Sequence, residues 1–591
     1  MTPAPNCGEI WIVDSEYVSN PGERPQPVCV AAHELKSGVV KSVWLEGEEA
    51  GDVKSPPYPT SKDALFICFY APAEMSVHQA LGWQMPVNLV DLFAEHRVLT
   101  NGLPGVGNSL LAACEYRGIP SVPSSDHKER MRALILAGGP YSEEDQRSIM
   151  SYCVEDVHLT ANLFLKMEPL IDWPRALFRG MYQKSIAGME HRGIPLDMET
   201  LSQLQQHWQD LQMRMVKEVD ADYGVYDGMT FKSSEFERYL SEKDLPWPRT
   251  ETGRLSLSDD TFRSMTKTYP FLQGLKDLRY LLGTMKLNAL AVGRDGRNRT
   301  MLSPFRAKTG RNQPSSSKYI FGPATWLRHL IKPEPGKALI YADYAQQEFA
   351  VAGYLSGDLV MQQAYRNGDP YLNFAKLAGA APPEATKTSH KIVRDLYKLC
   401  ALAVQYGMEE HSLASQINRP PAYAKELLRQ HRRVFRDYWN WSDRVLTDAL
   451  LSRRMTTSFG WRYQVAGDGG WNDQQLRARS LRNWPCQSHG SDILRMACVL
   501  LDRNGLEVIG PVHDAVLLEC AIDDADAAAN KAAAVMEQAS SFVLGEGRVV
   551  RVDYEIIRYP NRFSDPRGVE TWGRITRLLD KMDREEVALD N

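Results

Sequence analysis

The chain has 591 residues, 43% hydrophobic and 24% charged, with a formal net charge of −5; this is an ordinary globular composition on a chain too long for one core. No stretch approaches the ~20 consecutive apolar residues of a membrane span, and MTPAPNCGEIWIVD has no basic region leading into an apolar one, so neither a membrane protein nor a signal peptide is expected. Nine cysteines without a CxxC pair argue against a structural zinc site and for reduced thiols in a cytoplasmic compartment.

Residues 1–172 read as an α/β unit, with the strand-like runs EIWIVDSEYV, PVCVAAHEL and ALFICFYAP mixed with helical stretches such as SIMSYCVEDVHLTANLFLKM. On the first strand Asp14 and Glu16 are two apart and share a face. On the helix Tyr152 and Asp156 are four apart and share one too. Trp173-Pro174 marks the boundary, and from 175 to 290 the pattern is helical with a polar break at PWPRTETGRLSLSDD. A basic run follows: Arg294, Arg297, Arg299, Arg306, Lys308, Arg311, Lys318, Arg328 and Lys332 are opposed only by Asp295 before Glu334. Such a cluster either holds a phosphate backbone or lines solvated faces of helices. ALIYAD is a short apolar strand ending on Asp343. Helical periodicity resumes from 357 to 450. EVIGPVHDAVLLEC then reads as strand, tight turn, strand, with His513-Asp514 at the bend, and ITRLLDKM belongs to a closing amphipathic helix of unassigned role.

A buried carboxylate costs several kcal/mol unless compensated. If the strand ending on Asp343 and the hairpin carrying Asp514 are neighbours in one sheet, the two acids meet at one spot, and two divalent ions relieve their repulsion. Hard oxygen ligands and phosphate binding favour Mg²⁺, with Mn²⁺ able to substitute. Between the two acids, Arg394, Lys398, Leu402 and Tyr406 recur every fourth residue and form one helical stripe. Two cations, an apolar residue and an aromatic in that order suit a triphosphate at one end and a base and sugar at the other.

Asp343-Tyr344-Ala345-Gln346-Gln347-Glu348, Arg394-x3-Lys398-x7-Tyr406-Gly407 and Val512-His513-Asp514 resemble motifs A, B and C of the family A DNA polymerases, and YLSGD and TGR (309–311) match as well. The resemblance runs from about residue 9 to 560. It implies an α+β right-hand polymerase fold of palm, fingers and thumb behind an N-terminal α/β, RNase H-like exonuclease domain. The implied boundaries are 1–172 for the exonuclease-like domain and 173–591 for the polymerase. Within the latter, 175–290 is the thumb, 291–360 palm with motif A, 361–440 fingers with motif B, and 441–591 palm with motif C and a tail. The roles implied are two Mg²⁺ on Asp343, Asp514 and the Tyr344 carbonyl, and a triphosphate on Arg394 and Lys398, with Lys398 as proton donor. Gln346, Leu402, Tyr406 and Tyr371 complete the nucleotide site, and Glu348 packs with Tyr406 as a gate against the ribose 2′ hydroxyl. Arg311, Arg479, Asn483, Gln487 and His513 would contact primer-template DNA, and Pro485 should start or kink the helix that carries three of them. Four positions depart from the pattern: Leu402 replaces Phe or Tyr, Ala350 an Arg, Ala515 a Glu and Tyr371 a His. Altered speed and fidelity are expected, without loss of activity.

Asp14, Glu16, Asp156 and Tyr152 resemble the tyrosine form of the DEDD 3′-5′ proofreading exonucleases, which implies two further metal ions. Glu74 takes the fourth acidic position by order, with Asp91 as its rival. The expected enzyme is a monomeric DNA-directed DNA polymerase of the cytoplasm, or of the host cytoplasm if phage-encoded. Its partners would be primer-template DNA, dNTPs and unidentified replisome proteins, and no membrane. With no segment left for a 5′ nuclease, a bacteriophage replicase or a DNA repair enzyme is expected. The rivals are a single-subunit RNA polymerase, against which Glu348 and the exonuclease-like domain speak, and a non-catalytic DNA-binding scaffold, against which Asp343, Asp514 and Lys398 speak.

Overall fold

Side chains along EIWIVDSEYV alternate, so Ile12 joins one buried cluster and Trp11 and Val13 another. The strand β1 (Glu9–Val18) is therefore covered on both faces. The computed structural model describes residues 7–46, 53–120, 124–284, 287–322, 324–466 and 471–589. Strands β2 (Gln26–Glu34), β3 (Val40–Trp44), β4 (Ala64–Cys68) and β5 (Asn88–Asp91) complete a five-stranded sheet of order β3-β2-β1-β4-β5. The first three strands are antiparallel; β4 and β5 run parallel to β1. Helix α1 (Ala71–Ala80) lies between β4 and β5, and α2 (Leu92–Thr100), α3 (Leu110–Tyr116), α4 (Ser125–Ala137), α5 (Glu143–Met167) and α6 (Trp173–Arg192) follow β5 in turn. The α5 side buries Ile12, Val90 and Val157 together, and the α1 side buries Val13, Ala71 and Met75.

The boundary expected at Trp173 coincides with the start of α6, yet α6 serves both halves. It lies so close to β5 that a side chain at Gly180 would collide with the Leu89 carbonyl. Arg179 on α6 forms a buried bidentate pair with Glu95 on α2, at 2.6 and 2.7 Å. From α2, Arg97 donates to the carbonyls of Phe305 and Arg306, and Asn101 to those of Lys308 and Arg462.

The helices α7 (Met198–Gln206), α8 (Trp208–Asp220), α9 (Ser233–Glu242), α10 (Asp259–Thr268) and α11 (Gln273–Thr284) build an arm whose tip has its own core of Phe236, Phe262 and Leu275. Strand β6 (Lys337–Tyr344) then opens a second sheet, completed by β7 (Glu507–Val512), β8 (Ala515–Ala521) and β9 (Val552–Arg558). Its order is β7-β8-β6-β9, antiparallel throughout. Between β6 and β7 run α12 (Gln347–Ser356), α13 (Leu359–Arg366), α14 (Pro370–Leu377), α15 (Lys391–Gln405), α16 (Glu410–Ile417), α17 (Pro421–Val434), α18 (Arg436–Ser452) and α19 (Trp471–Arg503). Helix α20 (Ala525–Leu544) links β8 to β9. The closing helix α21 (Val569–Leu589) is anchored by Trp572 stacked on His329 and by the Arg214–Glu585 and Arg574–Glu218 pairs to α8.

Two expectations need correction. Of the two outcomes expected at Pro485, the helix start is not found; α19 begins at Trp471 and continues through the proline. Burial of Leu481, Trp484 and Cys486 around it offsets the roughly 3 kcal/mol that an interior proline costs. Nor is the basic run solvated throughout, because three of its arginines are structural. Arg297 bonds Glu519 and Glu334, Arg299 bonds Asp295, and Arg328 bonds Asp565, each arginine buried. Arg306, Lys308 and Lys318 stay exposed.

The Arg179–Glu95 pair yields a direct test. Glu95→Ala leaves a buried guanidinium without its counter-charge and is expected to cost about 3–5 kcal/mol, read as a lowered Tm. The double variant Glu95→Leu/Arg179→Met should recover most of that loss.

Candidate active site

The register of the second sheet sets the site. Asp343, near the end of β6, lies opposite Ala515 on β8 and opposite Asp553 on β9. Residues directly opposed in antiparallel strands share a face, with Cβ atoms about 4.5–5.5 Å apart. Val512 pairs with Ala515, which leaves His513 and Asp514 as a two-residue turn beside Asp343. His513 adopts a left-handed φ of 57° there, and burial lowers its pKa. Burial pushes the Asp343 carboxyl up to about 7, and the charges of Asp514 and Asp553 add to the effect. Burial also raises Asp514, against the pull of Arg311. Asp343 Oδ1 is buried without a hydrogen-bond partner. An all-oxygen set with a free buried lone pair fits a hard divalent cation. The sequence reading missed Asp553; its signal was the alternation in VDYEII, a strand whose partner cannot be read from the sequence.

Around this core the structure brings most of the expected residues together. Tyr344 is buried and its hydroxyl donates to the Met536 carbonyl, so only its backbone is available on the site side. Gln346 takes a left-handed φ of 49° and starts α12, which brings Glu348 into the first turn. Tyr406, just past α15, donates its hydroxyl to Glu348 Oε1 at 3.1 Å, and Arg311 lies 3.7 Å from the same oxygen. On α15, Arg394 and Lys398 both lie over the Tyr371 ring, at 5.4 and 6.0 Å, and Leu402 is half-buried on the next turn. Arg394 is also paired with Asp369 and Asp395, at 2.7 and 3.0 Å. Arg479 bonds Glu409 and packs beneath Gly407. Asn483 is buried with an unpartnered Oδ1, one helical turn from Gln487. Ala350 is buried in the core of α12.

The first sheet holds a second acidic group. Carboxylate oxygens of Asp14, Glu16 and Asp156 lie within 4.8 Å of one another. Burial, then Asp156, pushes Asp14 up to about 8, and burial with the Asp14 charge raises Glu16. Tyr152 stands beside them on α5, its hydroxyl raised by burial and by Asp156. Neither expected fourth acid has an oxygen within that 4.8 Å group. Glu74 accepts from Ser15 Oγ at 2.5 Å, and burial and then the Asp14 charge raise its carboxyl. Asp91 caps α2 through Phe93 N and binds Tyr70 N and Gln183. A cavity of about 1020 Å³ runs from Glu16, Lys128 and Tyr152 to Arg306, Ser315 and Lys318.

The family model for DNA polymerase family A matches residues 198–556. The thermostable DNA polymerase I of Thermus filiformis is 26% identical over 444 residues, covering 71% of this chain and 51% of its own length. DNA polymerase I of Deinococcus radiodurans is 25% identical over 410 residues, covering 64% and 42%. The chain thus spans about half the length of the curated relatives it matches. A solved structure, the POL domain of Pol1 from M. smegmatis in complex with DNA primer-template and dNTP, has the same fold. Its TM-score is 0.75 at 19% identity, with 94% of this chain and 96% of that one covered.

Because the Asp343 carboxyl is raised from 3.8 to about 7, the folded chain binds this proton more tightly than the unfolded one. Stability is therefore lost as pH rises through that window. In chelator, Asp343→Asn should leave Tm nearly unchanged at pH 4 and raise it by several degrees at pH 8. Asp553→Asn should move the same window downward. Parallel Tm–pH curves for all three proteins would refute the assigned charge coupling.

Proposed function

This chain belongs to DNA polymerase family A, and from that premise we propose that it is a template-dependent DNA polymerase adding deoxynucleotides to a primer 3′ end. The observation that carries this reading is the meeting of Asp343 and Asp514 beside one β-hairpin, both held above the ordinary carboxylate range. Asp343, Asp514 and the Tyr344 carbonyl would hold Mg²⁺, or Mn²⁺ in its place. Bound there, divalent ions supply positive charge to the attacking and leaving oxygens of an in-line phosphoryl transfer. The protein's own contribution is positioning and fixed charge. Arg394 and Lys398 neutralise the triphosphate, and Lys398 protonates the departing pyrophosphate. Tyr406 fixes Glu348 where a ribose 2′ hydroxyl would collide with it, which selects deoxynucleotides. Arg311, Arg479, Asn483, Gln487 and His513 hold the primer-template; minor-groove contact senses pair geometry more than sequence. The M. smegmatis neighbour was solved with DNA primer-template and dNTP, which supports the same partners here.

A second activity is favoured by a separate observation, the convergence of Asp14, Glu16 and Asp156 with Tyr152, two of which, Glu16 and Tyr152, line the cavity. Water attack on the terminal phosphodiester of a frayed 3′ end is the chemistry this group suits, so the N-terminal unit acts as a proofreading 3′-5′ exonuclease.

Primer extension with Mg²⁺ tests the first reading. Asp343→Ala and Asp514→Ala should each abolish extension while the fold persists, and Glu348→Ala should raise NTP incorporation at least tenfold. Extension undiminished in the double alanine variant would overturn the assignment. Leu402→Phe should change dideoxynucleotide incorporation. For the second reading, wild type should release mispaired 3′ nucleotides and Asp14→Ala should not; equal release by both would sink it.

A further inference from the structure

The acid cluster of the first sheet already contains a cation. Helix α4 projects Lys128 into it, with Nζ 2.7 Å from Asp156 Oδ2 and 5.5 Å from the Tyr152 ring centre. Side-chain exposure is 19% for Lys128 and 8% for Asp156, so the contact is shielded from solvent. The lysine is not a loose surface arm. Lys128, Met131 and Ile135 recur at helical spacing, and Met131 and Ile135 are buried in the cluster that includes Ile12 and Cys153. The helix itself is fixed by Ser124, which accepts from His127 N at its start.

The Lys128–Asp156 contact sets how many metal ions the cluster takes. Glu74 is held by Ser15 and lies outside the three acids whose oxygens are within 4.8 Å of one another, and Asp91 is spent on capping α2 and on Gln183. With its ammonium 2.7 Å from Asp156 Oδ2, Lys128 holds that oxygen and places a positive charge beside it, so a second divalent ion there would meet a cation in place of a ligand. Asp156 Oδ1 is buried without a hydrogen-bond partner, so the oxygen that Lys128 does not use remains free for one ion.

We propose that this cluster binds a single divalent cation, and that the Lys128 ammonium permanently occupies the place of a second. The proposal rests on reading the cluster as a metal site. In that arrangement Lys128 offers fixed positive charge to a phosphate entering from the cavity.

The test counts Mn²⁺ bound to the full-length chain by electron paramagnetic resonance, in an Asp343→Ala/Asp514→Ala background that silences the other site. The cluster's ions are those lost on adding Asp14→Ala. One ion is expected, unchanged by Glu74→Gln. Lys128→Met, which keeps the aliphatic stem and removes the charge, should bind two, and Lys128→Arg should return the count to one. Two ions with Lys128 intact, or one in Lys128→Met, would overturn the lysine's role while leaving the metal site standing. No ion lost on Asp14→Ala would overturn the metal-site reading itself, and the proposal with it. A retained cooperative unfolding transition in Lys128→Met separates these outcomes from misfolding.

Discussion

Asp343 stands between two backbone ladders, with Asp553 directly across one of them and the Asp514 turn beside the other. Like charges directly opposed in a sheet destabilise it, and burial makes the repulsion stronger. What holds these acids together is the strand beneath them. Ala338, Leu339, Ile340 and Ala342 of β6 are fully buried, as are Val516, Leu517 and Leu518 of β8. A register slip of one residue would send Asp343 to the opposite face and expose the apolar set, so the core fixes the acids in place despite their mutual cost. A cation that neutralises them relieves a strain the hydrophobic core has already imposed.

The remaining site is spaced from that fixed point. Five residues after Asp343, Glu348 enters the first turn of α12, and its partner Tyr406 arrives from the end of α15. A two-residue turn places His513 and Asp514 without adding a loop of uncertain length. Short covalent connections to a buried sheet give the geometry its rigidity, and contacts made by longer paths complete it.

That distinction also explains what was legible in the sequence. Asp343, Asp514 and the α15 stripe lie within or one turn from elements whose periodicity is strong, so their placement could be read from spacing, whereas Glu348 was legible only through the resemblance of its motif. The pair Asp14 and Glu16 was legible from its spacing. Asp553 and Lys128 were not. Asp553 lies on an edge strand whose alternation marks a strand but not its partner, and only strand order brings it to Asp343. Lys128 lies on a helix of weak amphipathicity, and its meeting with Asp156 depends on how α4 docks against α5. Glu74 shows the converse. Chain order nominated it, but its carboxylate is held by Ser15 and has no oxygen within the group of three acids. The basic run is only partly a surface patch, because charge counting does not see Glu519 and Asp565, which arrive from distant parts of the chain to pair with Arg297 and Arg328.

The same reasoning bears on how a triphosphate would be received at α15. Arg394 is already neutralised by Asp369 and Asp395, so an incoming phosphate must compete with carboxylates for the guanidinium. Asp369 is not freed by that exchange, since its other oxygen, Oδ1, accepts from the backbone of Tyr371 and Leu372 at the start of α14. The competition therefore costs the charged hydrogen bonds to Asp369 and Asp395 without removing the cap of α14, while Arg394 and Lys398 both lie over the Tyr371 ring. Tyr371 is thus a neutral platform that brings no charge of its own, which leaves charge neutralisation to the two cations above it.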